Sequence, residues 1–240
     1  MKLKEESEDL GILEKIMNSI NIALSGADGR MGKTLSRQFM LDKDFKIVLA
    51  FDAEEEDNLS LDSYIIDILI DFTIAESAHR LIPKFLKKGI PVVSGTTSQN
   101  LWFDEYELLV KETKTPLAVI PNFSLGAMLL EEFGIIASKY FSNVELVEYH
   151  HSTKVDKPSG TAKKMAKSLN INEKSIHSIR LPGFLAHHEL IFGKSGETLS
   201  LRHDTSGRDC YYWGIKKTIN KLIEDKTPKF YKDLKDIIRG

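Results

Sequence analysis

The chain has 240 residues, 42% hydrophobic and 28% charged, with a formal net charge of −2 and one cysteine, Cys210. These values are typical of a globular protein with one sizeable core or two smaller ones, and they exclude an intrachain disulfide. They give no general attraction to nucleic acid or to an anionic membrane. No apolar run reaches the roughly 18 residues of a membrane helix and no signal-peptide pattern is present, so we expect a cytoplasmic protein.

Strand and helix patterns alternate over the first half of the chain. Residues 1–16 are rich in charge, and we interpret them as an extension, a tag or the product of an early start codon. From there to Pro121, apolar strand patterns alternate with segments whose apolar residues form a stripe along one face of a helix. This alternation predicts an α/β fold: a Rossmann-like, doubly wound parallel sheet covered on both faces. The predicted strands are 20–24, 46–51, 65–72, 90–93 and 117–120, and the stripes are Met31, Leu35 and Phe39, then Leu101, Leu108 and Leu109.

After Pro121 the pattern changes to α+β. A short helix from Thr161 and strands at 144–149, 188–192 and 197–203 are predicted, the last two joined by a hairpin turn, and 211–238 is predicted to be helical. A long amphipathic helix comes first, with an apolar face of Leu125, Met128, Leu129, Phe133, Ile136 and Tyr140. We therefore predict two domains: a dinucleotide-binding domain of residues 17–122 plus 209–240, and a substrate-binding domain of residues 123–208.

A glycine-rich turn follows the first strand. It has the pattern G-x-x-G-x-x-G and leads into a helix, where glycines let the backbone approach a pyrophosphate at the positive helix end. The alternative is a glycine turn that binds nothing. The candidate cofactor contacts of this turn are Gly26, Ala27, Gly29, Arg30, Met31 and Gly32.

Asp52 is the candidate ribose-binding carboxylate. It ends the second strand, 20 residues after Gly32, where such an acid belongs. A carboxylate repels a 2′-phosphate, and Ala53 and a run of acids at 54–57 follow without an arginine. We therefore predict that NADH is preferred, while the basic residues Arg30 and Lys33 leave NADPH use possible.

Further candidates lie at later strand ends, where a doubly wound sheet binds its ligands. Threonine hydroxyls and backbone groups there could bind the nicotinamide carboxamide. Ser124 is well placed to cap the helix that follows it. The candidate cofactor contacts at these ends are Phe72, Thr73, Gly95, Thr96, Thr97, Asn122 and Phe123.

Residues 148–161 are the least generic segment of the chain. His150 and His151 lie at a strand end, and histidine can donate the proton that accompanies hydride transfer to carbon. Lys154 supplies a fixed positive charge, and a helix begins in the run that contains Ser159, Gly160 and Thr161, so its backbone N–H groups form a second anion site. An acid beside two anion-binding features suits a dicarboxylate substrate.

Metal binding is the alternative for these histidines. His187, His188 and His203 add possible ligands, but neither H-x-x-x-H nor C-x-x-C is present, and carboxylates are not interleaved in a ligand pattern. We therefore predict no metal.

The ordered set of motifs resembles a known family, 4-hydroxy-tetrahydrodipicolinate reductase, long called dihydrodipicolinate reductase. The most specific element is His-His-x-x-Lys-x-Asp-x-Pro-Ser-Gly-Thr-Ala at 150–162. The other elements are Gly-Ala-x-Gly-Arg-Met-Gly at 26–32, Asp-Phe-Thr at 71–73, Gly-Thr-Thr at 95–97, Asn-Phe-Ser-Leu-Gly at 122–126, and Arg180, His188, Phe192, Glu197, His203 and Arg208.

The resemblance implies an NAD(P)H-dependent reductase of the diaminopimelate–lysine pathway. Hydride would reach C4 of a cyclic imine as its 4-hydroxyl leaves as water, with His150 as general acid and Lys154 assisting and binding substrate. His151, Gly160 and Thr161 would grip the substrate carboxylates, and the sheet of the second domain would assemble a homotetramer. An inactive or sensory nucleotide-binding relative and a metal-dependent cyclic-amide hydrolase remain as alternatives.

The sequence departs from the family pattern in two loops. Pro182 and Ala186 stand where the family has glycines, so the shape of the loop near Arg180 does not follow from the resemblance. Ser98 follows Gly-Thr-Thr where glycine is usual. None of these departures removes a candidate catalytic residue.

Overall fold

The computed structural model describes residues 19–52, 55 and 59–239, so the expectation for residues 1–16 lies outside the described part. The chain forms two compact units, one comprising the chain up to Phe123 together with residues 214–240 and the other residues 124–213. Within the described ranges, every helix falls short of the length and apolar character that crossing a membrane requires.

The first unit is built on a six-stranded sheet in which every neighbouring pair is parallel. Its strands are β1 (Ile20–Ser25), β2 (Phe45–Phe51), β3 (Ile68–Asp71), β4 (Val92–Ser94), β5 (Leu117–Val119) and β10 (Phe230–Tyr231), in the spatial order β10-β5-β4-β3-β1-β2. Strands β3, β4 and β5 are buried at every position, as central strands of a parallel sheet covered on both faces must be. The predicted Rossmann-like fold is confirmed.

Helices connect these strands. They are α1 (Arg30–Leu41), α2 (Ala75–Leu86), α3 (Phe103–Thr113), α6 (Tyr212–Asp225), which belongs to this unit from Gly214 onward, and α7 (Leu234–Arg239). Leu35 and Phe39 of α1 are buried as predicted. In parallel β-α-β units the strand ends that precede the helices meet at one edge of the sheet, so the polar residues after β1, β3, β4 and β5 come together there.

The second unit is built on a mixed four-stranded sheet with the order β7-β6-β8-β9. Strand β6 (Asn143–His150) runs parallel to β7 (Ile176–Arg180) and antiparallel to β8 (Ala186–Lys194), which pairs with β9 (Glu197–Thr205). Helices α4 (Leu125–Ala137) and α5 (Gly160–Leu169) share one apolar core with this sheet. Because side chains alternate along a strand, Leu146, Glu148 and His150 are all buried on one face of β6.

Two predicted helix faces are wrong in part. In α3 Leu109 is buried as predicted, together with Tyr106, whereas Leu108, and Leu101 in the turn before the helix, are exposed. In α4 Met128 is buried as predicted, but Phe133 and Ile136, and Tyr140 just after the helix, are exposed. The other buried residues of α4 are Ala127, Leu130, Glu131, Gly134 and Ala137. Close packing contributes to this: a Cβ at Gly134 would collide with the Leu190 and Leu169 side chains, so the helix approaches the sheet closely at this position.

The prediction of a wholly helical C-terminal stretch is also wrong in part. Phe230 and Tyr231 form β10 between α6 and α7 and pair with Leu117 and Ala118 of β5. A two-residue strand carries no periodicity, and its existence depends on the edge of β5.

Candidate active site

The glycine turn of the first unit fits a dinucleotide. It begins at Gly26, whose φ of 75° lies in the left-handed region, and α1 starts at Arg30 with Gly29 as its N-cap. A Cβ at Gly32 would collide with the carbonyl oxygens of Gly26 and Ala27, so the helix start packs directly on the turn. The turn therefore leaves the N-terminal end of α1 open to an anion, with Arg30 exposed beside it.

Asp52 follows β2 and contacts the glycine turn. Its Oδ2 accepts a hydrogen bond from the backbone N–H of Asp28 at 3.0 Å, while its own N–H donates to Glu55 Oε2 at 3.1 Å. The acidic run invoked for cofactor choice lies outside the described residues, except for Glu55. A carboxylate can accept further hydrogen bonds, so Asp52 could also bind ribose hydroxyls.

Asp71 organises the strand ends around this turn. The carboxylate is fully buried at the end of β3. It accepts five hydrogen bonds from donors at the ends of three neighbouring strands: Ser25 Oγ (3.0 Å), Thr73 N (3.2 Å), Thr73 Oγ1 (2.6 Å), Ser94 Oγ (2.5 Å) and Thr96 Oγ1 (2.9 Å). The Thr73 and Thr96 hydroxyls predicted to face the cofactor thus also bind Asp71, which belongs to the family pattern at 71–73 but had no role assigned from the sequence.

The remaining predicted cofactor contacts lie along the same edge of the sheet. The rings of Phe72 and Phe123 are 6.1 Å apart between centroids, and a Cβ at Gly95 would collide with the Phe72 ring. Thr97 is exposed and Asn122 half-buried. Ser98 has a φ of 65°, a left-handed conformation that explains why glycine suits this position.

In the second unit, His150 pairs with a buried carboxylate. It ends β6, is 6% exposed, and its Nδ1 lies 3.0 Å from Oε2 of Glu148. The other oxygen, Oε1, accepts hydrogen bonds from Ser159 N–H at 3.1 Å, Ser178 Oγ at 2.6 Å and Arg180 Nη2 at 2.7 Å. Burial alone would raise the pKa of Glu148, but these donors hold it well below its usual range.

His188 completes this cluster from β8. It is paired across the sheet with Glu148, and its ring meets that of His150 edge to face at 5.5 Å between centroids. Burial, and then the neighbouring His150, lower the pKa of His188 from 6.5 to about 4, so this imidazole is neutral near pH 7.

The cluster could in principle hold a metal ion. Ligand atoms of Glu148, His150 and His188 lie within 4.8 Å of one another, the one such group found among the residues described. Arg180 already places a fixed positive charge on the same carboxylate, which opposes a second cation in this buried position. An ion pair between His150 and Glu148 is therefore the better account of the cluster.

The other candidate catalytic and substrate residues follow His150 along the chain. His151 Nδ1 lies 2.7 Å from Thr153 Oγ1, and the Lys154 N–H donates to the carbonyl of His151 at 3.1 Å, which forms a turn. The Lys154 ammonium lies 2.8 Å from Asp156 Oδ1, and the hydrogen bond from Lys154 lowers the pKa of that carboxyl. His150, His151 and Lys154 therefore lie in one short segment.

This segment ends at the N-terminus of α5. Ser159 is buried and caps the helix, because its Oγ accepts from the N–H of Ala162 at 3.2 Å. Gly160 is exposed and Thr161 half-buried, so the first turn of the helix presents backbone N–H groups as predicted. The hydroxyl of Ser159 is already used as the cap, so this residue shapes the first turn of the helix.

The sequence assigned no role in the site to Glu148, although it begins the least generic segment, and gave Arg180 only as part of the family pattern. Glu148 precedes His150 by two residues on a strand, a spacing that places both on one face. That signal was available in the sequence, whereas the contact with Arg180, 32 residues further on, depends on the parallel pairing of β6 with β7.

Comparison with known proteins gives consistent matches. Residues 20–123 match the family model described as dihydrodipicolinate reductase, N-terminus, and residues 126–238 the model described as its C-terminus. The chain is 34% identical to the 4-hydroxy-tetrahydrodipicolinate reductase of Dictyoglomus turgidum over 85% of this chain and 93% of that protein. It is 33% identical to that of Coxiella burnetii over 86% and 95%.

Solved structures extend these matches. The chain is similar to a dipicolinate-bound dihydrodipicolinate reductase from Paenisporosarcina sp. TG-14, with 28% identity, a TM-score of 0.78 and coverage of 91% of this chain and 99% of that one. It shares only the fold with a probable dehydrogenase from Thermotoga maritima, at 10% identity and a TM-score of 0.60, covering 91% and 92% of the two chains.

Proposed function

The chain belongs to the dihydrodipicolinate reductase family of pyridine-nucleotide-dependent oxidoreductases, and on that premise we propose that it reduces 4-hydroxy-tetrahydrodipicolinate to tetrahydrodipicolinate in the diaminopimelate–lysine pathway. One observation carries the proposal. The segment from His150 to Thr161 holds a carboxylate-paired imidazole, an ammonium and an open helix N-terminus in succession. This combination suits an acid-assisted reaction on a dianionic ring.

His150 is the proposed general acid. Its Nδ1 faces Glu148, which leaves Nε2 as the nitrogen that delivers a proton. When bound, the reduced nicotinamide supplies the hydride that C4 of the ring receives. The C4–oxygen bond breaks, and the proton from His150 leaves with the 4-hydroxyl as water, so charge and atoms balance. Lys154 stabilises the anionic substrate during this step.

The substrate carboxylates bind in our proposal to His151, Lys154 and the first turn of α5. The Gly160 and Thr161 N–H groups supply hydrogen bonds at the positive end of the helix, and Ser159 keeps that turn in shape through its cap. The relative from Paenisporosarcina binds dipicolinate, a planar dicarboxylate, which supports a dicarboxylate ligand here. Lys154 would exchange its contact with Asp156 for a substrate carboxylate.

We propose that the glycine turn and the strand ends of the first unit bind NADH in preference to NADPH. Asp52 supports this because its carboxylate, held beside the turn by Asp28 N–H, would repel a 2′-phosphate. The test is the specificity constant for each cofactor in the wild type and in Asp52→Ser. A wild-type preference for NADPH of about tenfold or more would contradict the assignment.

We also propose a homotetramer formed through the second sheet, and a cytoplasmic location in keeping with the single cysteine. The face of that sheet opposite α4 and α5 carries Tyr149, Glu189 and Arg202, with Arg202 stacked on the Tyr149 ring at 5.2 Å from its centroid. Such a face, half-apolar and bearing charges of both signs, suits a self-complementary contact. Light scattering of the wild type and of Arg202→Glu tests it, since a tetramer unaffected by this change would refute the assigned face.

The assay for activity couples the upstream synthase to this protein and follows NADH oxidation. We expect His150→Gln to lower kcat by about 100-fold or more, the scale of general acid catalysis. Lys154→Ala should impair both substrate binding and turnover. The matched control is His177→Gln, an exposed histidine of the same unit that pairs with Glu145, and its activity should equal that of the wild type. Near-normal turnover of His150→Gln would refute the assigned acid.

A further inference from the structure

We propose that Glu148 is a positioning residue, which fixes the orientation of the His150 imidazole and holds both ends of the substrate-binding segment with one carboxylate. The inference rests on the proposed function. Glu148 is fully buried, and an ionised carboxylate in that position is costly unless donors surround it. We therefore infer the role of Glu148 from the groups that contact its two carboxylate oxygens.

The first contact sets the protonation pattern of His150. Oε2 of Glu148 lies 3.0 Å from Nδ1 of His150, and each of these two buried atoms is without a hydrogen-bond partner among the described residues. A small rotation of the ring lets Nδ1 donate to Oε2, and we infer that Nδ1 then keeps its hydrogen whether the imidazole is neutral or charged. Nε2 is then the nitrogen that gains and loses the catalytic proton. Without the carboxylate, nothing among the described contacts would fix which nitrogen of the neutral ring carries the hydrogen.

The second set of contacts holds the segment that leaves β6. Oε1 accepts from the N–H of Ser159, the residue that caps α5, and from Arg180. The same Arg180 nitrogen donates to the carbonyl of Asp156 at 2.6 Å. Glu148 thus contacts the segment at its start through His150, near its end through Ser159, and in between through Arg180. The proton donor and the carboxylate-binding turn are coupled through one side chain.

The other ionisable groups facing His150 do not replace this contact. His188, on β8, meets the His150 ring edge to face, and its Nε2 makes no hydrogen bond with any described residue. Arg180, on β7, is engaged by Oε1 of the same carboxylate and by backbone carbonyls. Glu148 is therefore the group that can accept from Nδ1 of His150.

The variant Glu148→Gln keeps the size and shape of the side chain but removes its charge and replaces one acceptor oxygen by a donor NH₂. Oε1 accepts three hydrogen bonds, so the amide oxygen of glutamine takes that place and its NH₂ faces His150. Two donors then meet, and the ring must move its hydrogen to Nε2 and accept at Nδ1. An imidazolium, which needs hydrogens on both nitrogens, is disfavoured. The expected result is a fall in kcat of about 100-fold with a smaller change in KM.

The experiment uses the full chain labelled with nitrogen-15 in histidine, with the His150 resonances assigned through His150→Gln. NMR should show the Nδ1–H tautomer for neutral His150 in the wild type and the Nε2–H tautomer in Glu148→Gln. Ser178→Ala is the matched control, because it removes one donor to the same carboxylate and leaves the charge. It should keep the Nδ1–H tautomer and lose less than about tenfold in kcat.

Three outcomes overturn the proposal: the Nε2–H tautomer in the wild type, an unchanged tautomer in Glu148→Gln, or a kcat of that variant within about twofold of the wild type. The tautomer of the wild type is measured without any variant, so the proposal can be refuted even if Glu148→Gln does not fold. Failure of the proposed function is a separate result. Wild-type protein that oxidises no NADH in the coupled assay would refute the function, while the tautomer would still report on Glu148.

Discussion

Acidification should destabilise the second unit through His188. The side chain is 4% exposed, and its pKa is lowered by burial from 6.5 to about 4. In the unfolded chain the pKa returns to about 6.5, so between these two values the unfolded state binds a proton that the folded state does not. The free energy of unfolding therefore falls as the pH falls. At about 1.4 kcal/mol per pH unit, His188 alone removes about 3 kcal/mol between roughly pH 6.5 and 4.

The assay is urea unfolding at several pH values and one protein concentration. The chain has two tryptophans, so a Trp102→Phe reference leaves Trp213 as the fluorescent probe within the second unit. His188→Asn in this reference should unfold more easily at about pH 7, because packing is lost, but should show a shallower dependence on pH. His177→Asn is the control, because it removes an exposed histidine from the same sheet, and it should change the slope less than His188→Asn does.

The decisive quantity is the difference in slope between the reference and His188→Asn. If both lose stability equally between about pH 6.5 and 4.5, other groups cause the acid sensitivity and His188 is not held neutral by burial. Glu148 does not confuse the comparison. Its lowered pKa contributes stability that is present above the unfolded value of about 4.3 and is lost only as the pH falls through the folded value, below this range.

Four further changes test the two sites. Asp71→Ala should raise the dissociation constant of NADH by about tenfold or more in a fluorescence titration, because donors on three strand ends lose their common acceptor; unchanged affinity would contradict this. Gly32→Ala should abolish NADH binding in the same titration, since its Cβ would collide with the Gly26 carbonyl, and normal binding would refute the fit. Ser159→Ala should lower the free energy of unfolding by about 1 kcal/mol and raise KM for the substrate, and no change in either would show that the cap is dispensable. Ser98→Gly should stabilise the first unit by about 0.5 kcal/mol in urea unfolding, because it relieves a left-handed residue; destabilisation would contradict the backbone assignment.

The parts of the fold that could be predicted are those in which the residues of one short segment already determine its structure. Strands of the first sheet could be predicted because central parallel strands are apolar at nearly every position, and the glycine turn because only glycine fits there. The face of α4 could not be predicted from apolar spacing. Its packing depends on how closely Leu190 and Leu169 approach Gly134, which is a tertiary property.

Some residues of the candidate site could likewise be identified from the sequence, and others could not. His150 and Lys154 could be identified because their chemistry is unusual in that pattern, whereas the role of Asp71 depends on which strands are neighbours. Besides Thr73, the carboxylate receives donors from β1 and β4, which flank β3 in the sheet, although β2 lies between β1 and β3 in the chain. A single sequence carries no local signal for a hydrogen bond between Asp71 and Ser25, 46 residues apart.

The edge strand β10 has a consequence for synthesis. It pairs with β5, yet Phe230 and Tyr231 are translated only after the whole second unit, residues 124–213. A nascent chain therefore carries an open β5 edge while the ribosome completes the second sheet, and such edges invite pairing with other chains. Strand β10 covers the edge of β5 only at the end of translation. Chains that terminate before Phe230 should therefore aggregate more readily than the full chain, although they contain every candidate site residue.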